Sequence, residues 1–222
     1  MILKGKATIE MNRKSIIENI KCYVYKQLEH EGTGHDKWHI ERVRKLAIHI
    51  AEKEKANLFI VELAALLHDL IDDKLKDTIK IDLYDVDDLL KKYHVEKDDR
   101  VKILTIIDSI SFRKKVNSDE LSLEGRIVQD ADRLDAIGAI GIARTFSYAG
   151  SQGHIIYDPE KKHTTNAIQH FYDKLLRILD LMNTETAIHL AKERHVFLQK
   201  YLKQFYAEWD ASFENEGTRK GI

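Results

Sequence analysis

Four side chains have the types and placement to do chemistry together: His39, the adjacent pair His68 and Asp69, and Asp132. Each stands at the edge of an apolar helical stretch, and together they offer two imidazole nitrogens and two carboxylates. A mixed set of this kind with open coordination positions suits Mn, Fe, Co, Ni, Zn or Mg rather than a thiolate-loving ion, and open positions indicate a catalytic site. Asp132 lies inside the apolar run Ile127 to Ile142. A carboxylate there costs several kcal/mol unless it is paired, hydrogen-bonded or metal-bound, so it asks for a partner. Singly, the residues say little. A lone helical histidine is ordinarily packed or capped, and a second His-Asp dipeptide, His35-Asp36, is explained by Asp36 capping a helix. The pair His68-Asp69 differs because it directly follows Ala64-Ala65-Leu66-Leu67, the end of a buried stripe.

Helices must position these groups. With one proline in 222 residues, long stretches are free of breakers and the chain is expected to be nearly all helix. Apolar Val43, Leu46, Ala47 and Ile50 recur at steps of three and four from Asp36 to Glu54, with Asp36 at the N-cap and His39 at the head of the stripe. A second helix runs from about Asn57, its cap, to Leu67. Further helices are expected over about Asp82 to Tyr93 and Lys97 to Ser111, followed by a polar loop from Arg113 to Glu120. One long helix over about Ser122 to Ala149 carries Asp132, and its Ala136, Gly138, Ala139 and Gly141 allow close approach. Two long helices, about Thr165 to Met182 and Thr184 to Phe213, end the chain. A single domain spanning 1–222 is expected, with a motif core at about 35–150 and C-terminal helices at about 165–213.

Composition removes several classes. Lys plus Arg number 36 against 37 Asp plus Glu, so the net charge is -1 and duplex nucleic acid or a membrane surface is a poor match. The longest apolar stretch, Leu58 to Leu67, is interrupted by Glu62 and falls far short of the roughly 20 residues that span a bilayer. One cysteine, Cys22, forms no internal disulfide and fits a reducing compartment, so a cytoplasmic location is expected.

The chain resembles the HD-domain metal-dependent phosphohydrolases. The stretches that carry the likeness are His35-Asp-Lys-Trp-His39-Ile-Glu-Arg42-Val43, then Leu66-Leu67-His68-Asp69-Leu-Ile-Asp72-Asp73-Lys74, then Val128-Gln-Asp130-Ala-Asp132-Arg133-Leu134-Asp135-Ala-Ile-Gly138. His170-Phe-Tyr-Asp-Lys174 and Met182-Asn-Thr-Glu-Thr186 further resemble the stand-alone bacterial hydrolases of that family. The resemblance implies an all-α domain holding one divalent ion through His39, His68, Asp69 and Asp132. The ion would polarise a phosphate oxygen and activate a water. It also implies hydrolysis of nucleotides, with (deoxy)nucleoside triphosphates giving pyrophosphate as the leading expectation. Hydrolysis of monophosphates or other phosphoesters, or a non-catalytic nucleotide-binding role, are the alternatives.

Asp72 and Asp73 stand where related hydrolases carry an acidic pair that positions the attacking water, the alternative being a solvated acidic turn continued by Lys74. Candidates for phosphate are Arg133, Lys74, Arg144, Lys161, Lys162, His163, His170 and Lys174. Asp135, one turn after Asp132, is placed to hydrogen-bond a metal histidine or form a salt bridge. Asp130 reads as a surface or capping acid, Arg42 as an ion pair supporting the His39 helix, and Tyr148 as aromatic core packing. Only His94 lies between Asp69 and Asp132, which argues against the extra histidines of a two-metal site. The apolar face Phe197, Leu198, Tyr201, Leu202 and Phe205 would serve a core or a homodimer equally well.

Overall fold

The computed structural model describes residues 2–29, 36–71, 81–110, 120–160, 162 and 165–212, with the α1 side chains described from Asn12. Among them the elements are all helical, with no strand. They are α1 (Ile2–Gln27), α2 (Lys37–Glu54), α3 (Leu58–Leu67), α4 (Leu83–Lys92), α5 (Lys97–Ile110), α6 (Leu123–Asp135), α7 (Gly138–Ser151), α8 (Ala167–Asp173), a 3-10 helix (Leu175–Leu181) and α9 (Glu185–Trp209). Among the described residues no helix is long and apolar enough to cross a membrane.

The core forms around α3. All its residues from Phe59 to Leu67 are buried except Glu62, and α1, α2, α5 and α6 pack around it. Glu62 is accommodated because Arg44 donates to both Glu62 and Glu41, and Tyr25 donates to Glu41, so a polar network ties α1, α2 and α3 at the edge of the core. Burial pushes the Glu41 carboxyl upward, but the bonds from Arg44 and Tyr25 outweigh it and lower Glu41 to about 2.

Several helix starts follow from their caps. Asp36, Asn57, Asp82, Ser122 and Thr184 each accept a backbone N–H of the first turn of α2, α3, α4, α6 and α9, satisfying donors that have no partner inside the helix. A helix that the sequence pattern did not single out precedes Asp36: the chain is helical from Ile2, and Ile16, Ile20 and Val24 bury an i, i+4 stripe of α1 that Leu28 continues just past its end. Two expectations are corrected. The long helix over 122–149 is broken into α6 and α7 by a turn at Ala136 and Ile137, with Gly138 at φ 78°. Only glycine takes that backbone conformation at little cost. The helix expected over 165–182 breaks at Lys174, whose φ of -132° leaves the helical region, and continues as a 3-10 helix.

On α9, Leu198 and Leu202 enter the core, Tyr201 and Phe205 pack partly against it, and Phe197 is about half exposed. Tyr148 is 55% exposed, so core packing does not describe it.

Candidate metal centre

His39 is the third residue of α2. Asp36 accepts the N–H groups of Trp38 and His39 at 2.9 and 2.8 Å, which pins the first turn and with it the imidazole. His39 is wholly buried. Its Nδ1 lies 2.8 Å from Asp135 Oδ2. His68 ends α3, and its Nδ1 lies 2.8 Å from the Ala65 carbonyl oxygen one turn back. A carbonyl accepts only, so His68 Nδ1 carries the proton and Nε2 presents a lone pair. The ionised Asp135 imposes the same tautomer on a neutral His39. Arg144 Nη1 also comes within 3.2 Å of His39 Nδ1. Two donors cannot bond each other, so the Arg144 bond that counts is the one to Asp135 Oδ2 at 2.6 Å.

The two rings, with centroids 5.6 Å apart, turn their Nε2 atoms toward the same carboxylates. Asp69 Oδ2 is 3.2 Å from His39 Nε2 and Asp69 Oδ1 is 3.2 Å from His68 Nε2. His39, His68 and Asp69 each offer a ligand atom, all within 4.8 Å of one another. Asp132 approaches from α6, with Oδ1 at 3.4 Å from His39 Nε2 and 4.0 Å from His68 Nε2.

His68 Nε2 is buried and lacks an aligned hydrogen bond among the described residues, despite the short distance to Asp69. A buried polar atom without such a bond is costly, and one that converges with carboxylates calls for a cation between them. The charge on His39 makes the same point. Burial alone would lower its pKa, but hydrogen bonds to Asp135 and Asp69 and the charges of Asp69 and Asp132 push it up to about 9. The carboxylates thus demand positive charge, from an imidazole proton or from a divalent cation that replaces it. Two imidazoles and a carboxylate, with a second carboxylate at the rim, fit such a cation.

Asp132 itself corrects an expectation. Its side chain is 48% exposed, so the cost of burial does not compel a partner for it. The buried carboxylates of α6 are Asp130 and Asp135. Asp130 is no surface acid: it accepts the backbone N–H groups of Asn183 and Thr184 and the Thr184 hydroxyl, and so holds the start of α9. Asp135 forms both interactions considered for it, since besides His39 it accepts Arg42 Nε at 2.7 Å and Nη2 at 3.0 Å. Burial would raise the Asp135 carboxyl, but bonds from His39 and Arg42 and the charges of His39 and Arg144 hold it well below the usual carboxylate range.

The other candidates are dispersed. Arg144, on α7, is drawn to Asp135 beside the cluster. Arg133 donates to the Leu181 carbonyl, which ties α6 to the end of the 3-10 helix. His170 and Lys174 are exposed at α8, which packs against α7, and Lys162 pairs with Glu160. Asp72, Asp73, Lys74, Lys161 and His163 lie outside the described residues. The Ala65 carbonyl was invisible among side-chain motifs. Its only signal is the helical register that puts it three residues before His68.

Comparison with known proteins places this arrangement. The HD domain family model matches residues 38–137, from the head of α2 to the turn after α6. The Bacillus subtilis protein YpgQ is 50% identical over 189 residues, covering 84% of this chain and 90% of its own. The crystal structure of YpgQ in complex with ADP superposes with a TM-score of 0.79 at 45% identity, covering 89% of this chain and 96% of that one. That of an HD-superfamily hydrolase from Bacillus thuringiensis superposes with a TM-score of 0.77 at 42% identity, covering 90% of this chain and 100% of that one. The chain belongs to the HD-domain hydrolases.

Proposed function

We propose that the chain is a divalent-metal-dependent phosphohydrolase of nucleotides, acting on (deoxy)nucleoside triphosphates with release of pyrophosphate. The observation that carries the metal-dependent part is the convergence of His39 Nε2, His68 Nε2 and Asp69, with both Nδ1 atoms held by acceptors. The family resemblance supports hydrolysis of the triphosphate, and the ADP in the crystal structure of YpgQ supports a nucleotide as ligand.

His39, His68 and Asp69, joined by Asp132, would hold one divalent ion, which supplies a Lewis acid for a phosphoryl oxygen and a water of lowered pKa. The protein's own residues do the rest. Asp135 keeps the His39 proton on Nδ1, so Nε2 stays available as a donor atom. Arg42 and Arg144 both bond Asp135, and with a divalent ion held in the cluster the positive charges would exceed those of Asp69, Asp132 and Asp135 by one. That surplus favours a polyanionic substrate. Asp72 or Asp73 accepts the proton of the attacking water. Cleavage between the α and β phosphates leaves the nucleoside monophosphate and pyrophosphate. The location consistent with this reading and with the single Cys22 is the cytoplasm.

The test is a turnover screen of metal-stripped protein against ribo- and deoxyribonucleoside tri-, di- and monophosphates, with Mn, Co, Ni, Mg or Zn restored and orthophosphate and pyrophosphate scored separately. Metal-dependent pyrophosphate release from triphosphates is expected, and His68→Ala should abolish it while the chain stays folded. Orthophosphate from monophosphates alone would overturn the triphosphate assignment, and full turnover by a His68→Ala protein that binds no metal would overturn the mechanism.

A further inference from the structure

The turn between α6 and α7 carries the groups on which the proposed centre depends. Asp132 and Asp135 lie in the last turn of α6, and Arg144, the second guanidinium on Asp135, stands on α7. The turn is tight. A Cβ on Gly141 would meet the Ala136 carbonyl oxygen at 2.2 Å, so the first turn of α7 lies directly against the end of α6. Ile137, the N-cap of α7, makes no side-chain capping bond. Behind Asp135 is a cavity of about 390 Å³ lined by Arg42, Asp135, Ile137, Gly138 and Arg194 among others. Ile137 is buried, but beside it the rear of the turn opens onto this cavity, whose wall includes Arg194 itself.

Arg194, on α9, reaches it. Its Nη1 donates to the Leu134 carbonyl oxygen at 2.5 Å, one residue before Asp135. That carbonyl belongs to the last turn of α6, where a cation is favoured by the helix dipole, and it also accepts the Ile137 N–H at 3.2 Å, so Arg194 bonds the same oxygen that closes the turn. The stem of the same side chain lies over Gly138: a Cβ added there would come within 3.1 Å of Arg194 Cγ and 3.2 Å of Cβ. One side chain thus bonds the Leu134 carbonyl near the end of α6 and covers the first residue of α7. It comes from a helix beyond the 38–137 segment matched by the family model.

We infer that Arg194 is a positioning residue for the metal centre: by clamping the α6–α7 turn through Leu134 and Gly138 it fixes Asp135, and through Asp135 the His39 imidazole. This rests on the metal-site reading above. Groups that orient metal-binding histidines through a hydrogen bond typically change metal affinity by about 10- to 100-fold when lost. Arg194 acts one step further out, so the loss lies at the lower end.

The test compares the full-length wild type with Arg194→Met and Arg194→Lys. Methionine keeps the apolar stem against Gly138 and removes the donor and the charge. Lysine keeps a cation and one donor without the planar fork. Two quantities are measured: Mn²⁺ affinity by calorimetry, and the His39 Nδ1–H resonance by NMR in protein without added metal. The resonance is assigned by its loss in Asp135→Asn. Arg194→Met is expected to weaken Mn²⁺ binding by about tenfold and to broaden or abolish the resonance. Arg194→Lys should fall between it and the wild type in both. Unchanged affinity and an unchanged resonance in Arg194→Met, whatever its Tm, would overturn the inference, because only a structural role remains. Should Arg194→Met not fold, an Arg194→Lys protein indistinguishable from wild type in both readouts overturns it equally. A wild type that binds no Mn²⁺ would count against the metal-site reading, and the resonance, recorded without metal, still decides the clamp.

Discussion

Asp130 and Asp135 stand on one helix, are both buried, and are surrounded in opposite ways. Asp130 is met by neutral donors, the N–H groups of Asn183 and Thr184, the Asn183 amide and the Thr184 hydroxyl. Asp135 is met by two guanidinium groups and an imidazole. Burial raises the pKa of both, and at Asp130 it prevails over the hydrogen bonds, so that carboxyl stays above its ordinary value. At Asp135 the hydrogen bonds of His39 and Arg42 and the nearby charges prevail, and the carboxyl is held low. A buried carboxylate among amides fastens two helices together. The same group among cations keeps a full negative charge with which to orient a histidine. Residue type and burial do not separate the two roles; the charge of the partners does.

The comparison can be broken first at Asp130. Asp130→Ala takes the acceptor from the backbone N–H groups of Asn183 and Thr184 and from the Thr184 hydroxyl, and at ~1–3 kcal/mol per buried orphan the expected loss is about 3 kcal/mol or more of stability. For a chain of this size that lowers Tm by on the order of 10 °C. Calorimetric melting checks it, and metal affinity measured below the melting range should stay at the wild-type value. Asp135→Asn should do the reverse. It weakens Mn²⁺ binding by about 10- to 100-fold, equivalent to ~1.4–2.7 kcal/mol, which titration calorimetry measures. A protein that loses more stability than metal affinity would erase the distinction.

Acid sharpens the contrast, because the two carboxyls have opposite signs. Asp135 has a folded pKa below its unfolded value near 3.9, so its contribution is complete above that value and is lost as pH falls below it. Asp130 has a folded pKa above the unfolded value, so its contribution is complete at low pH and is lost as pH rises through the folded pKa. On acidification the stability advantage of wild type over Asp135→Asn should therefore shrink, and that over Asp130→Asn should grow. Urea denaturation across a pH series without added metal reads both. The smallest effect concerns the N-cap of α2. Asp36→Ala should cost about 1 kcal/mol of stability and lower metal affinity only slightly, since Asp135 still orients the His39 ring.

Much of this molecule is legible along the chain because local rules govern it. The caps Asp36 and Asn57 were marked by residue type before an apolar repeat, and the helices expected from about Asp82 and Thr184 start within one residue of those positions. The order His39, His68-Asp69, Asp132 was readable because His39 heads an apolar stripe, His68-Asp69 ends one and Asp132 lies within one, and the fold brings all four together. The turn after α6 was harder, because Gly138 and Gly141 permit either a close helix contact or a break, and only packing against Arg194 and Ala136 selects the break.

Sequence by itself determined the helical class, the capped starts of the helices around the core, and the identity of the side chains that could gather a cation. The sequence already set Asp135 beside a metal histidine; tertiary structure alone decided that Asp130 is buried and which partners surround each acid. Asp130 finds its partner Thr184 54 residues away, and Asp135 finds Arg42 at a separation of 93. Helical periodicity assigns a side chain to a face. Whether that face meets amide donors or guanidinium groups depends on the elements folded against it, and no local pattern encodes that.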